Sequence, residues 1–253
     1  MSRPSSRTST RARRRVPLLV LALAVLLTAG VVTVGDLARG TGGPFAALVG
    51  GTDTATGAPG SALAAVDDLT VKGRAPKTGY DRDEFGPAWA DVDRNGCDTR
   101  NDVLARDLTS VTFEPGTREC VVLTGSLVDP YTGSAIDFRR GRTTSTAVQI
   151  DHVVALSDAW QKGAQGLDAE ERRQLANDPL NLLAVDGPTN GAKGDGDTAT
   201  WLPPSTDYRC GYVARQVAVK IRYELWVTEA ERDAMQRVLT TCPDEPLPAG
   251  SPS

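Results

Sequence analysis

One histidine, His152, occurs in the 253 residues of this chain. It sits beside Asp151 in the stretch Gln149-Ile150-Asp151-His152-Val153-Val154-Ala155-Leu156. Such a pair can do acid–base chemistry. A carboxylate can hold a hard cation, and an imidazole with an ordinary pKa of about 6.5 can take a proton from water near neutrality. Thr146, Val148 and Ile150 alternate ahead of the pair and an apolar run follows it, which predicts a strand that ends on the acid and the base. A lone histidine after a strand is more often a packed or surface residue, so the chemistry needs further parts.

Those parts follow in order. Asn181 stands near the start of the apolar run 180–185, and Asn190 and Lys193 lie three residues apart beyond a turn at 186–189. Phosphodiester hydrolysis needs an in-line nucleophile, neutralisation of charge on the non-bridging oxygens, and help for the leaving oxygen. A single cation on Asp151 and the Asn190 amide oxygen would serve the last two needs, and His152 the first. Two protein oxygens leave room for water and phosphate, which suits Mg2+, with Mn2+ as the other choice. Each part also has a plainer role. Asn181 can simply begin a strand, Asn190 suits the turn Pro188-Thr189-Asn190-Gly191, and Lys193 is by default an exposed lysine. Ser157 has no nucleophile elbow around it, and no phosphate-binding glycine loop or dinucleotide fingerprint is present.

The ordered set of strand, Asp-His, Asn-strand, turn and Asn-x-x-Lys resembles the HNH, or ββα-metal, nucleases. More narrowly it is similar to the C-terminal domain of the GmrSD restriction endonucleases, as found in exported actinobacterial proteins. The segments that carry the likeness are IDHVVALSDAW, NDPLNLLAVDGPTNGAKGD and WLPP, between Ile150 and Pro204, and the likeness extends over about residues 80–243. It implies that Asp151 and Asn190 ligate the metal, that His152 is the general base, and that Asn181 orients the His-bearing loop. It implies a phosphate contact for Lys193. With no second histidine, the set is H-N-N.

Several elements must position these residues. Asp168, with Glu171 three residues on, predicts a capped helix running to about Asn177, and Asp178-Pro179 stops it. A strand is expected over 119–128, a turn at 129–133 and a return strand from Ile136. Two late helices have apolar faces at Val213, Val217, Ile221 and Leu225, and at Met235, Val238 and Leu239. Trp201-Leu202-Pro203-Pro204 reads as an apolar lid or anchor. A short helix from Asn101 to Leu108 is expected to present Arg100, either as a phosphate contact or in a structural ion pair. Arg139, Arg140 and Arg142 form the densest basic cluster of the folded part, where solvated surface is the plainer reading. Asp91-x-Asp93-x-Asn95-Gly96 begins like a calcium loop, but Asp98 and Asp102 break the pattern, so an Asx-rich turn is the better reading.

Composition bounds the class. The chain carries 28 basic and 32 acidic residues. Seven of the basic and one of the acidic residues fall in the first forty, leaving 21 against 31. An acidic body does not coat itself in nucleic acid, though it can still touch a few phosphates beside a cation. Residues 1–16 hold six arginines and residues 17–35 no charge, which reads as a signal peptide or an uncleaved membrane anchor. Residues 36–70 read as a flexible linker, 71–243 as the nuclease-like domain and 244–253 as a disordered tail. The four cysteines, Cys97, Cys120, Cys210 and Cys242, have no metal-knuckle spacing. Behind an export signal they suggest two disulfides. Three pairings are open, and Cys97–Cys120 with Cys210–Cys242 is favoured because each pair brackets one segment.

The expected protein is α+β, a ββα-metal core embedded in additional helices. It is extracytoplasmic, secreted or held by one N-terminal helix. The expected activity is endonucleolytic cleavage of nucleic acid, DNA before RNA, and no protein partner is inferable. Two other classes stay open: a non-catalytic cell-surface binding protein on the same scaffold, and calcium-dependent adhesion through Asp91, Asp93 and Asn95.

Overall fold

The computed structural model describes residues 57–249. The expected export segment, and the linker as far as residue 56, lie outside the described residues. The fold is mixed α+β. A three-stranded antiparallel sheet is ordered β1 (Thr109–Phe113), β2 (Val122–Val128), β3 (Ala135–Arg139). A separate two-stranded antiparallel sheet pairs β4 (Val148–His152) with β5 (Leu182–Asp186). Around them lie α1 (Ala62–Val66), α2 (Thr99–Asp107), α3 (Leu156–Gln161), α4 (Ala169–Asn177), α5 (Gly187–Lys193), α6 (Arg209–Arg222) and α7 (Glu229–Leu239).

The β4–β5 pair, whose strands are joined through α3 and α4, lies between two apolar clusters. Side chains alternate between the faces of a strand. Val148, Ile150, Leu182 and Ala184 join one cluster with Val103, Leu104 and Phe138 from α2 and β3. Leu183 and Val185 join another with Val213, Val217 and Met235 from α6 and α7. Burial on both faces explains why β5 reads as a continuous apolar run, Leu182-Leu183-Ala184-Val185.

Local chemistry sets the element ends. Asp168 caps α4, accepting from Glu171 N while the Glu171 carboxylate accepts from Asp168 N, each at 2.8 Å. The Asp178 carboxylate accepts from Leu180 N at 2.7 Å, so residues 178–181 form a turn and β5 starts at Leu182 rather than at Leu180. The expected turn at 186–189 is the first turn of α5, because Asp186 caps it by accepting from Thr189 N at 2.8 Å. The expected strand from residue 119 begins at Val122, and β1 was not expected.

The folded body starts earlier than residue 71. Residues 62–66, expected in the linker, form α1, and Ala62 and Val66 are fully buried against α6 and α7. Five small and apolar residues are too few to show a period, so only their packing partners reveal the helix. The expected tail is also partly bound: Ala62 N donates to Glu245 O at 2.8 Å, and Leu247 N to Gly60 O at 3.1 Å. The disulfides are Cys97–Cys120 and Cys210–Cys242, the favoured pairing. Among the described residues no helix is long and apolar enough to cross a membrane.

A buried ionic cluster joins α3, α6 and α7. Lys162 Nζ lies 2.8 Å from Asp158, 2.7 Å from Asp197 and 2.6 Å from Glu231. Lys220 Nζ lies 3.0 Å from Glu231, and Arg74 reaches Asp158 and Asp197 from the surface, each at 2.9 Å. Burial opposes the charge on Lys220, but Glu231 and Asp158 outweigh it and raise its pKa. Removing one partner from such a set leaves an uncompensated buried charge. Glu231→Gln should therefore lower the free energy of unfolding by about 3–5 kcal/mol in urea denaturation, whereas a loss below about 1 kcal/mol would mean that the cluster is not dry.

Candidate active site

His152 is the last residue of β4 and is buried, with 8% of its surface exposed. Its ring Nε2 lies 2.9 Å from the main-chain oxygen of Ala176 in α4. A carbonyl can only accept, so Nε2 carries the proton and Nδ1 the lone pair. Trp89 lies nearly parallel to the imidazole, at 13° with ring centroids 6.3 Å apart. Trp89 has a φ of 61°, a left-handed conformation uncommon for a bulky residue. A 70 Å³ cleft opens beside the ring, lined by His152, Trp89, Arg82, Phe85, Ala176 and Asn177. That volume holds several waters. Burial, with help from Arg82 and Lys193, brings the His152 pKa down to about 3, against the opposing bond to Ala176. The imidazole is thus neutral throughout the physiological range and is a weaker base than a free histidine.

Asp151 points the other way. Successive residues of a strand face opposite sides, so Asp151 leaves the His152 cleft and meets α5 and the turn after β2. Lys193 Nζ lies 3.0 Å from Asp151 Oδ1 and 3.0 Å from Oδ2, and donates to His152 O at 2.8 Å. The Tyr131 hydroxyl donates to Asp151 Oδ2 at 2.5 Å. Burial raises the Asp151 pKa even though Lys193 and Tyr131 pull it down. Burial, followed by the Asp151 charge, drives the Tyr131 pKa well above its ordinary value. The acid and the base therefore share the end of one strand but not one face of it.

Asn181 is fully buried and braces the loop after His152. Its Oδ1 accepts from Val154 N at 2.8 Å, its Nδ2 donates to Leu175 O at 3.2 Å, and its main-chain oxygen accepts from Val153 N at 2.8 Å. Asn190 sits on α5, one turn before Lys193, and its Nδ2 donates to Gln149 Oε1 at 2.9 Å. Gln149 and Asp151 alternate on β4, which puts Asn190 on the Asp151 side of the strand. Arg100 lies at the other end of β4, where its Nη2 donates to Val148 O at 3.3 Å. Its pKa is lowered by burial and by Arg140, against Asp98. Arg140 is held by Val122 O at 2.7 Å and by Asn101, while Arg139 and Arg142 are exposed. The acids of the calcium-like loop bind its own backbone: Asp91 and Asp93 each accept from Asn95 N at 3.1 Å. Among the described residues no group of three or more His, Cys, Asp or Glu side chains could hold a metal ion.

The sequence pattern did not expose Tyr131, Trp89, Arg82 or the Ala176 carbonyl. Tyr131 read only as part of a turn, Asp129-Pro130-Tyr131-Thr132-Gly133. The turn is pinned by buried Asp129, which also accepts from Asp186 N at 3.0 Å at the end of β5. Trp201, read as lid or anchor, packs edge-on against Tyr131 at 5.1 Å and Tyr212 at 5.5 Å.

Two comparisons place the chain among known proteins. The model of the C-terminal domain of GmrSD restriction endonucleases matches residues 98–238, more than half the chain, and the chain belongs to that family. An uncharacterized secreted protein of Arthroderma benhamiae is 39% identical over 184 residues, which cover 72% of this chain and 85% of that protein. No solved structure matches the chain.

The His152 geometry carries a pH signature. The folded-state pKa of about 3 lies below the unfolded value of about 6.5, so the unfolded chain takes up the proton first. The stability gained from a neutral buried His152 is complete above pH 6.5 and is lost as pH falls from there towards 3. Between pH 7 and pH 5 the loss amounts to about 2 kcal/mol. In His152→Gln that component should vanish, so wild type should lose about 2 kcal/mol more than the variant over this interval in urea melts. Parallel losses would show that His152 titrates normally.

Proposed function

We propose that this protein is an endonuclease of the HNH type, which hydrolyses phosphodiester bonds in DNA with His152 as the general base. One observation carries the reading. The sole imidazole has its Nε2 proton committed to Ala176 O, leaving the Nδ1 lone pair as its only basic atom, beside a small cleft that Arg82 lines. The antiparallel pairing of β4 with β5, with α5 following β5 directly and packed on both strands, supports a ββα core that α3 and α4 interrupt. So does membership of a family named for restriction endonucleases.

His152 would take a proton from water in the cleft. The negative charge of a bound phosphodiester would raise its pKa from the value set by burial and make it a better base. Asn181 would keep the His-bearing loop in register through Val153 and Val154. Arg82 would balance phosphate charge on the His152 side. Arg100, as a second phosphate contact, would have to exchange Val148 O for substrate.

The donor chemistry on the other face fits a hard divalent cation, Mg2+ before Mn2+. The Lys193 ammonium already acts as a stand-in positive charge there, against two carboxylate oxygens and one carbonyl oxygen. Asp151 and Asn190 would hold the ion. When bound, it would neutralise charge on the non-bridging and leaving oxygens of the phosphodiester. Two disulfides and a relative described as secreted support an extracytoplasmic location. Secretion and anchoring differ only in residues 1–35.

A second reading, a non-catalytic surface-binding protein on the same scaffold, draws on the depressed basicity of His152. Supercoiled plasmid incubated with the protein and Mg2+ or Mn2+ separates the two. Wild type should nick it, and His152→Ala should be slower by about 10²–10⁴-fold while keeping a cooperative melt. Equal rates for the two proteins, or no nicking by wild type with either ion, would exclude the enzyme.

A further inference from the structure

We propose that Lys193 is a displaceable internal cation: its ammonium fills the place on Asp151 that a divalent ion takes, and it moves to the adjoining cleft when that ion binds. The inference rests on the reading of Asp151 and Asn190 as cation ligands and adds a device that regulates their loading.

Lys193 has two places available to it. In the observed one its side chain is 0% exposed, and Nζ is surrounded by Asp151 Oδ1, Asp151 Oδ2 and His152 O at 3.0, 3.0 and 2.8 Å. Three oxygens around one positive charge is the donor chemistry of a hard cation. Tyr131, itself fully buried, fixes the carboxylate from the far side. The second place lies next door. Lys193 is the last residue of α5 and forms part of the wall of a 450 Å³ cleft that is open to solvent and also lined by Asp195, Thr200, Trp201 and the cations Arg74 and Lys77. Asp195 is exposed at its edge, where its carboxylate lies 3.6 Å from Lys77 Nζ and accepts from Ser157 Oγ at 3.0 Å, so an arriving Lys193 ammonium would share it with Lys77. An end-of-helix lysine needs only new side-chain rotamers to swing from one place to the other.

Electrostatics makes the two states exclusive. A single buried carboxylate balances the ammonium, and adding a divalent ion beside it would leave excess positive charge with little water to screen it. The ion therefore binds by expelling the ammonium. Two consequences follow. Lys193 lowers the apparent affinity for metal, and once expelled its charge is free to meet a phosphate oxygen. The contact from Nζ to His152 O is also broken, so cation loading reaches the backbone of the catalytic base.

The test uses the full chain and the metal alone. Lysine acylation footprinting, read by mass spectrometry, should find Lys193 protected in chelator and reactive at saturating Mg2+. Calorimetric titration with Mn2+ should give Lys193→Met a dissociation constant at least tenfold lower than wild type. Asp151→Asn should lose Mn2+ binding, which separates the ligand assignment from the role of Lys193. If Mn2+ binding depends on Asp151 while Lys193 stays protected at saturation, the displacement is wrong and the cation reading stands. If neither wild type nor Lys193→Met binds Mn2+, both fall. The footprint needs no variant, so it decides the matter even if Lys193→Met is too unstable to titrate.

Discussion

Antiparallel pairing of β4 with β5 is the constraint from which the site follows. The register sets Asp151 opposite Leu183 and His152 opposite Leu182. A shift by one residue would exchange the two faces of β4. His152 would then meet α5, and the Asp151 carboxylate would be buried near Trp89, away from Lys193 and Tyr131. Both faces of the strand pair are packed against apolar clusters, so that error is strongly opposed. The pairing separates a hydrophobic side, with a neutral imidazole and a small cleft, from a charged side, with carboxylate, ammonium and phenol. A single strand end thus presents two chemical environments about one residue apart.

Charge buried on that second side is balanced rather than avoided. Asp151 is paired with Lys193 and fixed by Tyr131, and in the larger cluster Lys162, Lys220 and Arg74 are balanced by Asp158, Asp197 and Glu231. Buried ion pairs are poor sources of net stability compared with apolar packing, and their best-attested value is in fixing a unique arrangement. Here they join segments far apart in sequence: α3 to α6 and α7, and β4 to α5. The α+β body therefore has stiff electrostatic joints between its apolar clusters, and the joint at Asp151 lies directly beneath the His152 backbone.

The parts of the fold that were legible in sequence are those with local causes. The capping pair Asp168 and Glu171 specifies where α4 begins, because the bonds lie within four residues. The alternation at Val148 and Ile150 specifies β4. The faces of α6 and α7 show at helical spacing because those helices are long enough to repeat. By contrast, α1 is five residues of Ala, Leu and Val whose burial depends on α6, α7 and the chain near Pro246. The partners of Glu245 and Leu247 are nearly two hundred residues away, so a proline-rich end read as tail is in part bound backbone.

The residue types of the candidate site, and their order along the chain, were determined by sequence alone: one Asp-His pair, two asparagines, a lysine three residues beyond the second, and no other histidine. Disulfide pairing was narrowed by spacing and decided by which segments meet. Tertiary structure alone decided what each polar atom faces. It gave His152 the Ala176 carbonyl, and so its tautomer, and gave Asp151 both Tyr131 and Lys193. It also turned adjacent acid and base to opposite sides of one strand. The reason is physical. Residue identity fixes which protons and charges exist, but burial and the nearest dipole fix their energies, and those neighbours come from elements twenty or more residues away.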